Sequence, residues 1–226
     1  QTCIAPDYVI VHESDFQPLV DNLIKKIKSV YGDTYEDQKE SKSLARIVNN
    51  AHFSRLVNMI DDKKCKVLYG GEYDEDSRFI SPAVVDMREN ETNISNQEIF
   101  GPIIPIISYS EEEDLANLLD IVGAPLALYI FSKKKRFISK IKNATSSGAI
   151  CVNDIGAQFI NHNLPFGGVM SSGAGRYHGF SGFKEFSNSR SILVQSKINF
   201  LNILSPPYSK ISQKVVDSLI LFYKKL

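Results

Sequence analysis

No two of the three cysteines, Cys3, Cys65 and Cys151, form a CxxC pair, and their number is odd. That excludes the disulfide framework that staples small secreted domains and suits a reducing compartment. The four histidines, His12, His52, His162 and His178, show no HxxxH spacing, so no metal site is expected. An excess of one charge is missing too: 26 basic side chains balance 26 acidic ones. Such a balance leaves no basic face to hold nucleic acid by counterion release, and nucleic acid is not an expected partner. No apolar run approaches the ~20 residues needed to cross a bilayer. Residues 1–12 lack the basic lead-in and apolar stretch of a signal or transit segment, so no leader is expected there.

What is present is enough for a sizeable core. A chain of 226 residues that is 43% hydrophobic and 23% charged reads as one globular domain with an appendage. Short β-rich runs at 8–12, 66–69, 82–86, 103–108, 126–131 and 148–152 alternate with helical periodicity, the pattern of parallel strands joined by crossover helices. Phe16, Leu19, Val20, Leu23, Ile24 and Ile27 keep helical spacing, as do Leu44, Ile47 and Val48 and then residues 56–60. Ser110 followed by Glu113 predicts a capping box before Leu115, Leu118 and Leu119. The expected fold is α/β, a mostly parallel twisted sheet with flanking helices. In such sheets ligands gather at the carboxyl ends of the strands, which gives meaning to the loops after Ser108, Phe131 and Val152.

Several residues carry chemistry. Cys3 offers a thiol, a strong nucleophile even when only a small fraction is ionised; a lone cysteine is by type more often a small buried apolar residue. Cys65, among Asp61, Asp62, Lys63, Lys64 and Lys66, reads as surface or boundary, and Cys151 as core packing. Glu98 and Phe100 read by residue type alone as a solvated glutamate beside a buried aromatic ahead of a strand. Residues 164–179 hold five glycines but match neither GxxxxGK[ST] nor a GxGxxG between strand and helix, so a folded loop is expected in place of a phosphate cradle. Residues 191–195 read as a lone strand, and Pro206-Pro207 then punctuates a tail in which Val215, Val216, Leu219, Ile220, Leu221 and Phe222 make a broad apolar helical face ahead of Tyr223-Lys224-Lys225.

The chain begins Gln1-Thr2-Cys3-Ile4-Ala5-Pro6-Asp7-Tyr8 and later contains Asn96-Gln97-Glu98-Ile99-Phe100-Gly101-Pro102-Ile103-Ile104-Pro105. Between these two lies Ser77-Arg78-Phe79-Ile80-Ser81-Pro82, and after them come Gly123-Ala124-Pro125-Leu126-Ala127-Leu128-Tyr129-Ile130-Phe131-Ser132, Thr145-Ser146-Ser147-Gly148 with Val152-Asn153-Asp154, and Leu164-Pro165-Phe166-Gly167-Gly168 running to Gly179. Together these resemble the cysteine-bearing half of the aldehyde dehydrogenases, in the class acting on fatty and aromatic aldehydes, and the resemblance extends to about Gln195. Met170 departs from it, standing where the family usually has glycine, so an altered loop backbone is expected.

The resemblance implies a division into a catalytic domain at 1–187, an oligomerisation-type strand at 188–197 and a C-terminal tail at 198–226. Cys3 would be the nucleophile, forming a thiohemiacetal and then a thioester, with its own backbone N–H as an oxyanion donor. Glu98 would bind the nicotinamide ribose and Phe100 border the ring of NAD or NADP. Asn153, Phe166, Gly167 and Gly168 would lie near the active site, Asn153 orienting the glycine-rich loop through backbone hydrogen bonds, and His178 would be structural. The implied partners are an aliphatic, long-chain aldehyde, a second copy in a homodimer, and a membrane or lipid surface reached through the tail. The implied location is intracellular: cytoplasmic, or peripheral on a cytoplasm-facing membrane such as the endoplasmic reticulum, a lipid droplet or the mitochondrial outer membrane. The family places its dinucleotide-binding domain, glutamate base and second oxyanion donor ahead of the cysteine, so these 226 residues alone are expected to be incomplete for turnover. Two readings from other classes fit the same residues: a non-catalytic remnant or interaction module, and a Cys3-dependent esterase needing no nicotinamide.

Overall fold

The computed structural model describes residues 1–62, 65–87, 97–195, 197, 202 and 204–224. Asn96 of the motif, Lys63 and Lys64 beside Cys65, Ser196 near the end of the expected late strand, and Lys225 of the tail lie outside them. The chain divides into two units, Gln1–Phe186 and Ser187–Leu226.

In the first unit, β1 (Val9–His12), β2 (Lys66–Tyr69), β5 (Ala83–Asp86) and β6 (Ile103–Tyr109) form one sheet in the order β1-β6-β5-β2. The central strand β6 runs parallel to both neighbours, with Val9 opposite Ile106 and Ala83 opposite Ile103, while β2 is an antiparallel edge. A hairpin, β3 (Tyr73–Asp74) with β4 (Phe79–Ile80), and a parallel pair, β7 (Ala127–Ile130) with β8 (Ala149–Val152), complete the strands. Each of the six strands expected between 8 and 152 is present within a residue or two, in a mixed, mostly parallel α/β arrangement.

Alternation along the strands builds two layers. Val84 and Ile106 point to one face and pack against Phe16 and Val20 of α1 (Glu13–Tyr31). Val85, Ile103 and Ile107 point to the other and meet Phe53, Leu56 and Ile60 of α3 (Asn50–Ile60). Burying each such side chain contributes about 1.5–3 kcal/mol. Helix α1 starts where the His12 ring accepts from the Ser14 backbone N–H, with Glu13 and Asp15 in its first turn favoured by the helix dipole. It ends at Gly32, whose φ of 115° few other residues tolerate. A short α2 (Tyr35–Glu40) is capped reciprocally by Thr34 and Asp37.

Leu44, Ile47 and Val48 are not helical. Asn49 caps α3 by accepting from His52 N–H at 2.8 Å, so the helix begins after them, and Ile47 is instead buried in a loop bonded to the Arg78 carbonyl. The cap of α4 (Glu112–Val122) also differs by one residue: Asp114, not Glu113, accepts from the Glu111 backbone N–H, at 2.9 Å, and from the Ser110 hydroxyl. Leu115 of α4 and Ile141 of α5 (Lys135–Ala144) cover Ile130 of β7. The short α6 (Ala157–Ile160) follows β8, and α7 (Gly179–Glu185) closes the unit.

The second unit contains α8 (Lys210–Tyr223), capped by Ser209. Residues 191–195 carry no strand pairing among the described residues, and Leu193 is 87% exposed. A strand needs a neighbouring strand to satisfy its backbone, and none is paired with 191–195 among the described residues.

Candidate functional site

Cys3 is exposed at the crest of a turn closed by Ala5 N–H donating to the Thr2 carbonyl at 2.9 Å. Three anchors hold that turn. The Gln1 side chain donates to the Arg46 carbonyl and accepts from Val48 N–H, gripping the loop before α3. The Tyr129 hydroxyl of β7 donates to the Ile4 carbonyl at 2.6 Å and accepts from the buried Gln158 amide of α6. The third anchor is the Asp7 carboxylate, which accepts from Ile99 N–H at 2.8 Å. Burial pushes the Asp7 carboxyl up from its ordinary value, opposed by the Ile99 and Phe100 backbone N–H groups and by the Arg55 charge.

Helix α3 fixes the Glu98–Phe100 segment from the other side. Arg55 donates to the carbonyls of Glu98, at 3.1 Å, and Ile99, at 2.5 Å, and also to His52 Nδ1. Because a guanidinium only donates, His52 Nδ1 must accept, and Nε2–H is left to donate to the Phe100 carbonyl at 2.9 Å. One neutral tautomer satisfies both bonds. With three successive carbonyls gripped, Phe100 is held at φ 53°, a left-handed conformation costing about 1–2 kcal/mol for a residue with a side chain. Gly101 then passes so close to α3 that a Cβ would stand 2.5 Å from Leu56 Cδ1. His52, Arg55, Gln97, Glu98 and Phe100 line an open hollow of about 460 Å³, with Glu98 exposed.

The cysteine-bearing segment and the Glu98–Phe100 segment therefore adjoin, but at the amino ends of β1 and β6, not at the carboxyl ends. Both segments lead into their strands, so the loop after Ser108 lies at the far end. The carboxyl-end rule does describe the second strand pair: Ile4 meets Tyr129 of β7, and its side chain lies beside Gly156 beyond β8.

Asn153, at φ 58°, accepts from Ser132 N–H at 2.9 Å and donates to the Ser132 carbonyl at 3.0 Å. It thus clamps the ends of β7 and β8 together instead of orienting the glycine-rich loop. That loop closes on itself: Phe166 and Tyr177 exchange two backbone bonds, and Arg176 donates to the Gly168 and Gly175 carbonyls. The Gly167 carbonyl abuts Gly148 at the amino end of β8, so Gly167 and Asn153 stand at opposite ends of that strand. The Phe166 ring lies 5.0 Å from Phe159 of α6. His178 sits among the rings of Phe159, His162, Phe166 and Tyr177 at 4.6–5.6 Å, as suits a structural residue. Met170 occupies φ 54°, the conformation glycine would adopt without strain, and is 84% exposed. Cys65 is half-buried with its sulfur 3.6 Å from that of Met87, and Cys151 is buried.

Sequence reading missed Asp7, His52, Arg55, Tyr129 and Gln158. The signal that could have found the central pair is the His52–Arg55 spacing of three, which puts both on one side of a helix.

Residues 1–192 match the profile of the aldehyde dehydrogenase family. The dimeric NADP-preferring aldehyde dehydrogenase of Rattus norvegicus is 40% identical over 199 residues, 88% of this chain and 43% of that protein. The 4,4'-diaponeurosporen-aldehyde dehydrogenase of Staphylococcus aureus is 36% identical over 208 residues, 92% of this chain and 45% of that protein. The substrate-bound state of Staphylococcus aureus AldH superposes with a TM-score of 0.80 at 33% identity, over 97% of this chain and 47% of that one. This chain spans less than half the length of these three relatives. By the extent of these matches, the chain belongs to the aldehyde dehydrogenase family.

Proposed function

We propose that this chain is the cysteine-bearing part of an NAD(P)-dependent aldehyde dehydrogenase that oxidises fatty aldehydes to carboxylic acids. The single observation that supports this most is the Asp7–Ile99 bond, which ties the segment of Cys3 to that of Glu98 and Phe100. The Cys3 thiolate attacks the aldehyde carbon, and the carbonyl oxygen takes the negative charge beside the Cys3 backbone N–H. As the carbonyl re-forms, the carbon loses a hydride and a thioester to Cys3 remains. Water then cleaves the C–S bond, releasing the acid and the thiol. An exposed carboxylate and a partly exposed aromatic ring on one open hollow fit a ribose diol and a flat nicotinamide, so Glu98 and Phe100 would hold that end of NAD or NADP. When bound, that group supplies the hydride acceptor. His52 and Arg55 position the two residues through their backbone.

The same reading extends to assembly and place. The exposed segment 191–195 pairs with a second copy in a homodimer, and the apolar face of α8 meets a lipid surface, placing the enzyme in the cytoplasm or on a cytoplasm-facing membrane. No helix among the described residues is long and apolar enough to cross a membrane.

The test is NAD(P)H production from a long-chain aldehyde by the purified chain, alone and mixed with a separately expressed dinucleotide-binding half of a relative. Holding hydride donor and acceptor together is worth several orders of magnitude in rate, and a general base a further ~10²–10⁴-fold. The chain alone should therefore give at most trace turnover, and the mixture should restore it. Cys3-dependent hydrolysis of an activated ester without nicotinamide dependence in the mixture would favour the esterase reading instead.

A further inference from the structure

The chain is neutral as a whole, yet between Asp120 and Asp154 it carries six basic side chains and no acidic one. Lys135, Arg136, Lys140 and Lys142 lie on α5, and Lys133 and Lys134 immediately precede it. Phe137, Ile138 and Ile141 of α5 turn inward onto the cluster around Ile130, and Lys133, Lys134, Lys135 and Arg136 are left exposed in succession at its start. None of these four pairs with a carboxylate among the described residues. Lys134 stands at the cap position without a side-chain cap bond, and the first turn contains no acidic residue. Cations there oppose the partial positive charge of a helix amino end, so helix stability does not account for their placement. Two residues upstream, Phe131 is 62% exposed. Ser132, between the ring and the cations, donates its N–H to the Asn153 side chain and accepts from it at its carbonyl, so the patch rests on a fixed base.

We propose that Lys133, Lys134, Lys135 and Arg136 with Phe131 form a docking surface for an anionic phospholipid bilayer. Contiguous cations beside an exposed aromatic ring suit the headgroup level, where the charges meet anionic lipid and the ring enters the interface. Four cations are fewer than the 6–10 phosphate contacts that give a nucleic-acid binder its affinity. This surface belongs to the first unit and α8 to the second, and it does not depend on the aldehyde chemistry.

The experiment is co-sedimentation of the full 226-residue chain with phosphatidylcholine vesicles, with and without phosphatidylserine. Each basic residue near an anionic surface strengthens binding by roughly fivefold. The combined Lys133→Gln, Lys134→Gln, Lys135→Gln and Arg136→Gln variant should bind the phosphatidylserine vesicles at least about tenfold more weakly, allowing for incomplete engagement of the four. Lys133→Arg, Lys134→Arg and Lys135→Arg together should bind like the parent, and Phe131→Ser should bind several-fold more weakly with unchanged salt dependence. Unaltered far-UV circular dichroism and Cys3 alkylation identify folded variants. Three results would overturn the proposal: no preference for phosphatidylserine, full binding by the Gln variant, or capture of a single-stranded oligonucleotide as tightly as of the vesicles.

Discussion

The Asp7 carboxylate accepts from the Ile99 backbone N–H across 92 residues of sequence, joining the segment that carries Cys3 to the one that carries Glu98. Ile99 is buried, so its N–H has no ready replacement by water. Asp7→Ala should cost about 1–3 kcal/mol through the unpaired donor, whereas Asp7→Asn keeps an acceptor oxygen and should cost less. Chemical denaturation of the three proteins checks the order, and equal losses would show that the bond is incidental.

The same carboxyl predicts a pH effect. Burial raises its folded pKa above the ordinary 3.8, so the folded chain binds more protons than the unfolded chain in a window beginning near that value. A group shifted in this direction contributes stability that is fully present below the unfolded pKa and lost as pH rises through the folded one. Subtracting the stability-versus-pH curve of the Asp7→Asn variant from that of the parent should leave this decline. A difference curve that climbs with pH would reverse the assignment.

Arg55 holds the carbonyls of the exposed Glu98 and of Ile99. Arg55→Lys cannot span both and should behave nearly like Arg55→Ala, each losing about 1.5–3 kcal/mol for charge-assisted hydrogen bonds. In a reconstituted enzyme the loss should fall on cofactor KM ahead of reaction at Cys3. A Lys variant equal to the parent in stability and KM would mean that the paired donation is unimportant.

Met170 spends conformational energy at φ 54° without burying its side chain. Met170→Gly should stabilise the chain by about 0.5–1 kcal/mol, the relief of left-handed strain exceeding the extra freedom of glycine in the unfolded state. Met170→Ala should bring no gain. The readout is the urea midpoint at constant m-value; an unchanged midpoint for the glycine variant would remove the strain argument.

The three thiols should alkylate in a set order. Cys3 is exposed, Cys65 is half-buried with its thiol pushed up by burial and then by the charge of Asp62, and Cys151 is buried. Peptide mapping after brief iodoacetamide treatment should find Cys3 modified first, and Cys3→Ser should abolish that early labelling. Earlier modification of Cys65 would contradict the placement of Cys3 in an open turn.

Local pattern was sufficient for the elements because their physics is local. The β-rich run at 103–108 describes one strand, which is buried on both faces, and the spacing of Phe16, Val20, Leu23 and Ile27 one helix with one buried face, and both appear where expected. Boundaries were less legible: Leu44, Ile47 and Val48 have helical spacing, yet the capping amide of Asn49 starts the helix after them. The residues of the motifs around Cys3 and Glu98 could be read directly, since each motif is continuous in sequence. Which end of the sheet they occupy could not, because it depends on β1 pairing parallel to β6 with both segments entering their strands from the same side. Nor could the residues that hold them. Asp7 is a carboxylate like any other until Ile99 is brought 2.8 Å away, and His52 and Arg55 are two polar residues on a helix until the backbone of Glu98, Ile99 and Phe100 is laid across them. Sequence by itself determined most of the elements and the motif residues, whereas tertiary structure decided their company, because hydrogen-bond partners 44 to 92 residues apart are chosen only when strands pair and helices pack.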